Sequence, residues 1–128
     1  MSKALEAEGV EVDYEGVQIR YEKPSQMHRY TIDFLLPNGI VIETKGRFTV
    51  EDRKKHLLIK EQYPELDLRF VFSNPKGKIN KKSKTTYADW CEKHGFRYAK
   101  GLIPKAWLKE KTNRRSLQLA QKFRRKPT

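Results

Sequence analysis

Cysteine is almost absent from this chain. Cys91 is the only one in 128 residues, so no intrachain disulfide and no cysteine-rich zinc site can form. Long apolar runs are also missing: no stretch approaches the roughly 20 residues that span a bilayer, and the N-terminus has no signal-peptide core. A cytoplasmic protein without membrane contact is the expectation. Acidic residues are scarce beside basic ones, 16 Asp and Glu against 28 Lys and Arg, which leaves a net charge of +12 and a pI near 9.9. A small protein with that excess is drawn to polyanions, nucleic acid before membrane. What remains is enough to fold, since 37% hydrophobic content over this length suits one domain with a modest core. No internal repeat is visible.

The most informative stretch is YTIDFLLPNGIVIETKGR, residues 30–47. Two short runs of β-branched and aromatic residues, Tyr30 to Leu35 and Ile40 to Thr44, flank Pro37-Asn38-Gly39, which predicts an antiparallel hairpin. Side chains alternate along the second strand. Ile40, Ile42 and Thr44 go to one face, and Val41, Glu43 and Lys45 to the other. A carboxylate and an ammonium then stand side by side, and the hairpin partner carries Asp33 toward the same end. Two neighbouring acids repel unless a cation sits between them. A Glu-x-Lys on a strand, taken alone, is an ordinary exposed ion pair. Two acids with a lysine and a divalent metal, however, are what phosphodiester hydrolysis requires.

The rest of the chain reads as alternating elements. MSKALEAEG predicts a short helix closing at Gly9. Residues 10–21 alternate around Gly16 as one bent strand or two short ones, and residues 22–29 are polar and irregular around Pro24. Val50 to Tyr63 reads as a helix with acids in its first turn, a narrow apolar stripe at Leu57 to Ile59, and Pro64 beyond its end. Its Arg53, Lys54 and Lys55 are candidates to hold phosphates, against the plainer reading of a solvated face; His56 is read as surface or core filling before catalysis. The strand Leu66 to Phe72 follows, and a strand-helix-strand step of this length favours a parallel neighbour. SNPKGKINKKSKTT is a lysine-rich loop, read as a mobile arm on a DNA backbone. Thr86 caps a helix from Tyr87 to His94 that ends at Gly95, with Tyr87 and Trp90 as core residues and Cys91 packed beside them. A short strand, a turn at Ile103-Pro104 and a basic tail complete the chain; the tail has just enough Leu and Phe for an amphipathic helix, and it contacts phosphates or lacks fixed structure without DNA.

The order Asp, hairpin turn, apolar strand, Glu-Thr-Lys, Gly46 resembles the PD-(D/E)xK nuclease superfamily, with Ile32 where a proline is frequent. The segments YTIDFLLPNGIVIETKG, DRKKHLLIKEQYPELDLRFVFS, CEKHGF and LIPKAWLKE resemble more narrowly the endonuclease I family of T-odd bacteriophages, which resolve four-way (Holliday) DNA junctions. The likeness covers most of Leu5 to Lys109.

That resemblance implies an α/β, restriction-endonuclease-like fold, a mixed β-sheet flanked by helices, in a single nuclease domain over 1–109 with a basic tail at 110–128. It implies that residues 22–29 bridge two halves exchanged between the chains of a homodimer, each active site drawing on both. It implies Mg²⁺, with Mn²⁺ able to substitute, held by Asp33, Glu43 and the carbonyl of Thr44. Asp33, Glu43 and Lys45 are then the catalytic set, and Arg47, Arg53, Lys54, Lys55, Lys76, Lys78, Lys81 and Lys82 the DNA contacts. Lys45 either deprotonates the attacking water or donates to the phosphate oxygens. The expected substrate is branched DNA, four-way junctions above all, and the expected location the host cytoplasm if the chain is phage-encoded. One departure matters: the family's first helix carries a further acidic ligand that aligns just before Met1, and Glu6 and Glu8 do not match it. The alternative is therefore a branched-DNA-binding protein with weak or no cleavage.

Overall fold

A computed structural model describes residues 13–14, 18–23 and 26–122, and among these the chain forms seven strands and four helices. The strands are β1 (Asp13–Tyr14), β2 (Gln18–Lys23), β3 (Gln26–Thr31), β4 (Phe34–Leu35), β5 (Ile40–Lys45), β6 (Asp67–Phe72) and β7 (Arg97–Lys100). The helices are α1 (Val50–Gln62), α2 (Tyr87–His94), α3 (Lys105–Leu108) and α4 (Arg114–Lys122). Five strands form one sheet in the order β1-β4-β5-β6-β7, while β2 and β3 pair separately with each other. β1, β4 and β5 run antiparallel, and β5, β6 and β7 run parallel. The fold is thus the expected mixed sheet flanked by helices.

The hairpin between β4 and β5 closes on a three-residue loop. Leu36 N–H donates to the Ile40 carbonyl at 2.9 Å and Gly39 N–H to the Leu36 carbonyl at 3.0 Å, with Gly39 at φ +91°. This turn sets the pairing of Phe34 with Ile42 and Leu35 with Val41. The period-2 alternation then sorts β5 between two cores. Val41 joins Phe48, Ile59, Leu68, Phe70, Phe72 and Trp90 on one side, and Ile40 and Ile42 join Phe34, Val71, Ile103 and Trp107 on the other.

Both parallel steps are made by helices with capping boxes. Thr49 accepts from Asp52 N–H while Asp52 accepts from Thr49 N–H, and Thr86 and Asp89 repeat the arrangement in α2. α2 ends on Gly95 at φ +76°, as a left-handed C-terminal glycine should. The consequence for function is that the C-terminal ends of β5, β6 and β7 share one edge, where Lys45, Phe72 and Lys100 lie in register.

Several sequence expectations are refined. Residues 10–21 contain two strands, β1 and the start of β2. The anticipated strand from Tyr30 to Leu35 is divided, because β3 pairs with β2 whereas β4 pairs with β1 and β5, and Ile32 and Asp33 lie between them. Most of the polar stretch 22–29 is strand, the ends of a β2–β3 ladder that runs from Gln18 opposite Thr31 to Lys23 opposite Gln26. In α1 the fully buried positions are His56 and Ile59, with Leu57 and Leu58 only partly covered. The helix expected over residues 1–9 lies outside the described residues.

The lysine-rich loop is pinned, not a free arm. Ile79 N–H reaches the Thr85 carbonyl at 3.0 Å, Tyr87 N–H the Gly77 carbonyl at 2.8 Å, and Ile79 packs on the core. The basic tail is likewise folded through residue 122. Ser116, fully buried, donates its hydroxyl to the Gly39 carbonyl at 2.6 Å and accepts the Asp67 N–H at 2.8 Å. Asn38 donates to the Trp107 carbonyl at 2.7 Å, and Asn113 N–H donates to the Asn38 carbonyl at 2.8 Å.

A second anchor is Arg69, buried and gripped by two carboxylates. Its Nε and Nη2 donate to Asp67, both at 2.9 Å, and its Nη1 and Nη2 donate to Glu110 at 2.6 and 2.9 Å. The guanidinium also lies over Trp107, 5.1 Å from its ring centre. These bonds with Arg69 hold the Glu110 carboxyl down at about 2.

Gly39 carries two demands at once. A Cβ there would lie 2.5 Å from the Asn113 carbonyl oxygen, and the positive φ already disfavours any L side chain. Gly39→Ala is expected to cost on the order of 2–3 kcal/mol in denaturant unfolding. A cost under about 0.5 kcal/mol would show that the hairpin turn and α4 are not held together as described.

Candidate active site

The strand alternation that buries Val41 carries Glu43 and Lys45 to the same face, at the edge where β5 gives way to α1. Glu43 is 5% exposed, an unusual depth for a carboxylate, and it meets Lys45 Nζ at 3.3 Å. Lys45 Nζ also donates to Asp52 at 3.2 Å. The ammonium is therefore shared between two carboxylates. Burial alone would lower the Lys45 pKa, but Glu43 and then Asp52 outweigh it and the net shift is upward. Asp52 moves the opposite way: burial would raise its pKa, and the Lys45 ammonium with the Thr49 N–H brings it below the usual value.

Asp33 faces the same strand from across the hairpin. It directly precedes Phe34, which pairs with Ile42. Its Oδ2 accepts from Thr44 N–H and from Thr44 Oγ1, each at 2.8 Å. The structure thus brings Asp33, Glu43, Thr44 and Lys45 to one end of one hairpin. All the donors an ion would find here are hard oxygens, and Mg²⁺ is commonly held by one or two carboxylates and completed by water and substrate phosphate. The donor set fits such an ion. Among the described residues no group of three or more His, Cys, Asp or Glu side chains is arranged to hold a metal, so the fit rests on the pair and on backbone oxygen. Glu6 and Glu8 lie outside the described residues.

Of the basic residues, Arg47, Lys78 and Lys81 line a single open groove of about 470 Å³ together with Thr49, Asn80 and Tyr87. Lys54, Lys76 and Lys82 are exposed. Arg53 is turned inward, donating to the Phe48 carbonyl at 2.7 Å and the Ile79 carbonyl at 3.4 Å, and so holds the wall of that groove. Lys55 stands 4.0 Å from Asp52.

Asp52 is the residue that sequence reasoning missed. Its place as the fourth residue of a Thr-x-x-Asp capping box was readable, but its reach to Lys45 depends on how α1 folds back on β5. His56 is a core residue: it is fully buried, its ring stands 4.9 Å from that of Phe70, and Nδ1 lies 2.7 Å from the Asp52 carbonyl. Cys91 is buried as well, and burial pushes its thiol up to about 12.

Comparison with known proteins follows the same lines. The profile of the family described as phage endonuclease I matches residues 1–126. The chain belongs to this family. It is 54% identical over 110 residues to Endonuclease I of Escherichia phage T7, covering 86% of this chain and 74% of that one. Over 110 residues it is also 57% identical to Endodeoxyribonuclease 1 of Enterobacteria phage T3, covering 86% of this chain and 72% of the relative. Asp33, Glu43 and Lys45 of this endonuclease I family member lie on its central hairpin, within the span matched by the profile.

Burial of His56 makes stability depend on pH. Burial lowers its pKa from 6.5 to about 3, so the unfolded chain binds a proton that the native chain refuses throughout that interval. Stability is therefore fully present above about pH 6.5 and falls as pH drops toward 3. Between pH 7.5 and 5.5 the expected loss is about 1.4 kcal/mol, before most carboxylates titrate. Denaturation of wild type and His56→Leu at the two pH values checks this. The variant should lose much less over the interval, and equal losses would contradict the assignment.

Proposed function

We propose that this chain is a structure-selective DNA endonuclease that cleaves four-way junctions and other branched DNA by metal-dependent phosphodiester hydrolysis. The observation that carries the reading is the buried Glu43 beside Lys45, with Asp33 bonded to Thr44 between them, at the end of a strand that runs on to Arg47 and Thr49 in the lining of the basic groove. The names of its relatives, an endonuclease and an endodeoxyribonuclease, support the DNA-cleaving part.

Asp33, Glu43 and the carbonyl of Thr44 would hold one or two Mg²⁺ ions, or Mn²⁺ in their place. Such an ion, when bound, supplies a water of lowered pKa and neutralises phosphate charge. Asp33 also fixes the end of the hairpin, since its bonds to Thr44 set where Glu43 and Lys45 project. Lys45, shared between two acids, is held as an ammonium. That form donates to non-bridging phosphate oxygens as charge builds there, and it does not take a proton. Between the two roles open to it, the donor role has the geometric support.

Arg47, Lys78 and Lys81 hold the phosphates flanking the cut in the groove, and Lys54, Lys55, Lys76 and Lys82 extend the cationic surface beyond it. Arg53 contributes by fixing the groove wall. A surface of this kind grips backbone and shape without reading bases, which suits a substrate defined by geometry. A two-fold homodimer, formed by exchange of segments around residues 22–29, would supply the paired cuts that a symmetric junction needs. Branched DNA in the host cytoplasm is the corresponding target, and no helix among the described residues is long and apolar enough to cross a membrane.

The test is cleavage of a four-way junction in Mg²⁺ or Mn²⁺, read as paired nicks, with linear duplex as control. Glu43→Gln and Lys45→Ala should each slow cleavage about a hundredfold or more while junction binding persists, and chelation should stop it. A wild-type rate in either variant would remove the catalytic assignment. Tight junction binding by wild type with no cleavage in either metal would favour the second reading, a branched-DNA-binding protein.

A further inference from the structure

Across residues 32–122 two large hydrophobic side chains stand exposed, Val50 at 52% and Leu102 at 57%. Neither is scattered at random. Val50 opens α1, five residues beyond Lys45, and Leu102 lies two residues beyond Lys100, which is in register with Lys45 through Phe72. At a strand spacing of about 4.8 Å, the Lys45 and Lys100 backbones are only about 10 Å apart. Both apolar groups therefore flank the edge of the sheet that carries the candidate active site.

Leu102 is also presented in an unusual way. Its N–H donates to the Lys100 carbonyl at 2.8 Å across Gly101, which has φ +76°. This is a γ-turn of the rare positive-φ kind. Gly101 N–H meanwhile continues the β6–β7 ladder to the Phe72 carbonyl at 2.9 Å, so the turn is fixed to the sheet. Ile103, the next residue, is buried, and this anchors the far side. A tight turn that glycine adopts without strain, held at both ends, projects a leucine into solvent. Its surroundings narrow the partner. From Arg97 to Lys109 the chain carries Arg97, Lys100, Lys105 and Lys109 and no acid. Arg97 is engaged by Glu110 at 3.3 Å, but Lys100 and Lys105, the nearest cations along the chain on either side of Leu102, are exposed. An apolar tip between two such lysines, beside a phosphodiester-cleaving site, fits nucleic acid at a place where a base face is uncovered.

We propose that Leu102 is a wedge that packs against the base pair exposed at the branch point of a DNA junction, and so helps distinguish branched from linear DNA. The proposal rests on the branched-DNA reading given above. Apolar side chains inserted at a base step are a general device for binding distorted DNA. A continuous duplex offers no such face without unstacking, whereas a branch point offers it at lower cost. Lys100 and Lys105 then meet the phosphates on either side of the leucine.

The experiment uses the full chain as wild type, Leu102→Ala and Leu102→Met, with metal chelated so that binding is read without cleavage. The ligands are a four-way junction carrying 2-aminopurine next to the point of strand exchange, and a linear duplex of the same arm sequence. Wild type and Leu102→Met should change the 2-aminopurine fluorescence on binding. Leu102→Ala should lose most of that change and bind the junction about tenfold more weakly, with duplex affinity and thermal midpoint unchanged. The wedge is overturned if Leu102→Ala keeps wild-type junction affinity and fluorescence response, or weakens junction and duplex equally. It is also overturned if the substitution alters the sedimentation of the free protein, since Leu102 would then seal a contact between copies of the chain. Absence of any junction preference in wild type is a different failure, which removes the branched-DNA reading itself and the wedge with it.

Discussion

The grip of Asp33 on Thr44 is the contact on which the site depends. One carboxylate oxygen accepts both the backbone N–H and the side-chain hydroxyl of the same residue, each at 2.8 Å. That pair of hydrogen bonds to one residue fixes the end of the β4–β5 hairpin where its ladder stops. A slip of one residue would exchange the two faces of β5, sending Glu43 and Lys45 into the apolar layer with Trp107. The other end of the strand is fixed by Gly39, whose carbonyl and bare α-carbon both meet α4. Between these two points the strand has one register, and the positions of Glu43 and Lys45 follow from it.

From there the charge arrangement is built outward. Glu43 is nearly buried, and a buried carboxylate needs a counter-charge. Lys45 supplies it, and Asp52 supplies a second partner for Lys45 from the first turn of α1. Asp52 is also the capping-box residue of that helix, so the start of α1 and the end of β5 share one side chain. The same economy appears in Arg53, which joins the loop after β5 to the lysine-rich loop and leaves a groove between them. Structural bonds thus hold the cationic surface in place, and the exposed lysines carry the charge.

Much of this was legible in the sequence, and the reason is locality. The hairpin turn, the Glu-x-Lys alternation, the Thr86 cap with Gly95 at the other end of its helix, and the parallel strand after α1 are all set by residues close in the chain. The polar stretch 22–29 was not legible as strand because a two-stranded ladder needs no apolar alternation along its length. Arg69 with Asp67 and Glu110, and Ser116 with Gly39, were invisible because they join residues 41 and 77 positions apart, leaving no periodic trace. The basic tail has enough Leu and Phe to suggest an amphipathic helix, but its docking was not legible for the same reason: two small buried residues, Ser116 and Ala120, anchor it, and neither advertises burial. In the candidate site the residues on the hairpin were readable, while Asp52 became a partner of Lys45 only through tertiary packing.

The account stands on Asp33 and Glu43 acting together on one divalent ion. Anomalous scattering from crystals of the full chain grown with Mn²⁺ would locate such an ion directly. The account predicts a peak bound by carboxylate oxygens of both Asp33 and Glu43 and by the carbonyl of Thr44. Occupied Mn²⁺ elsewhere on the protein, with none between those two carboxylates, would contradict it.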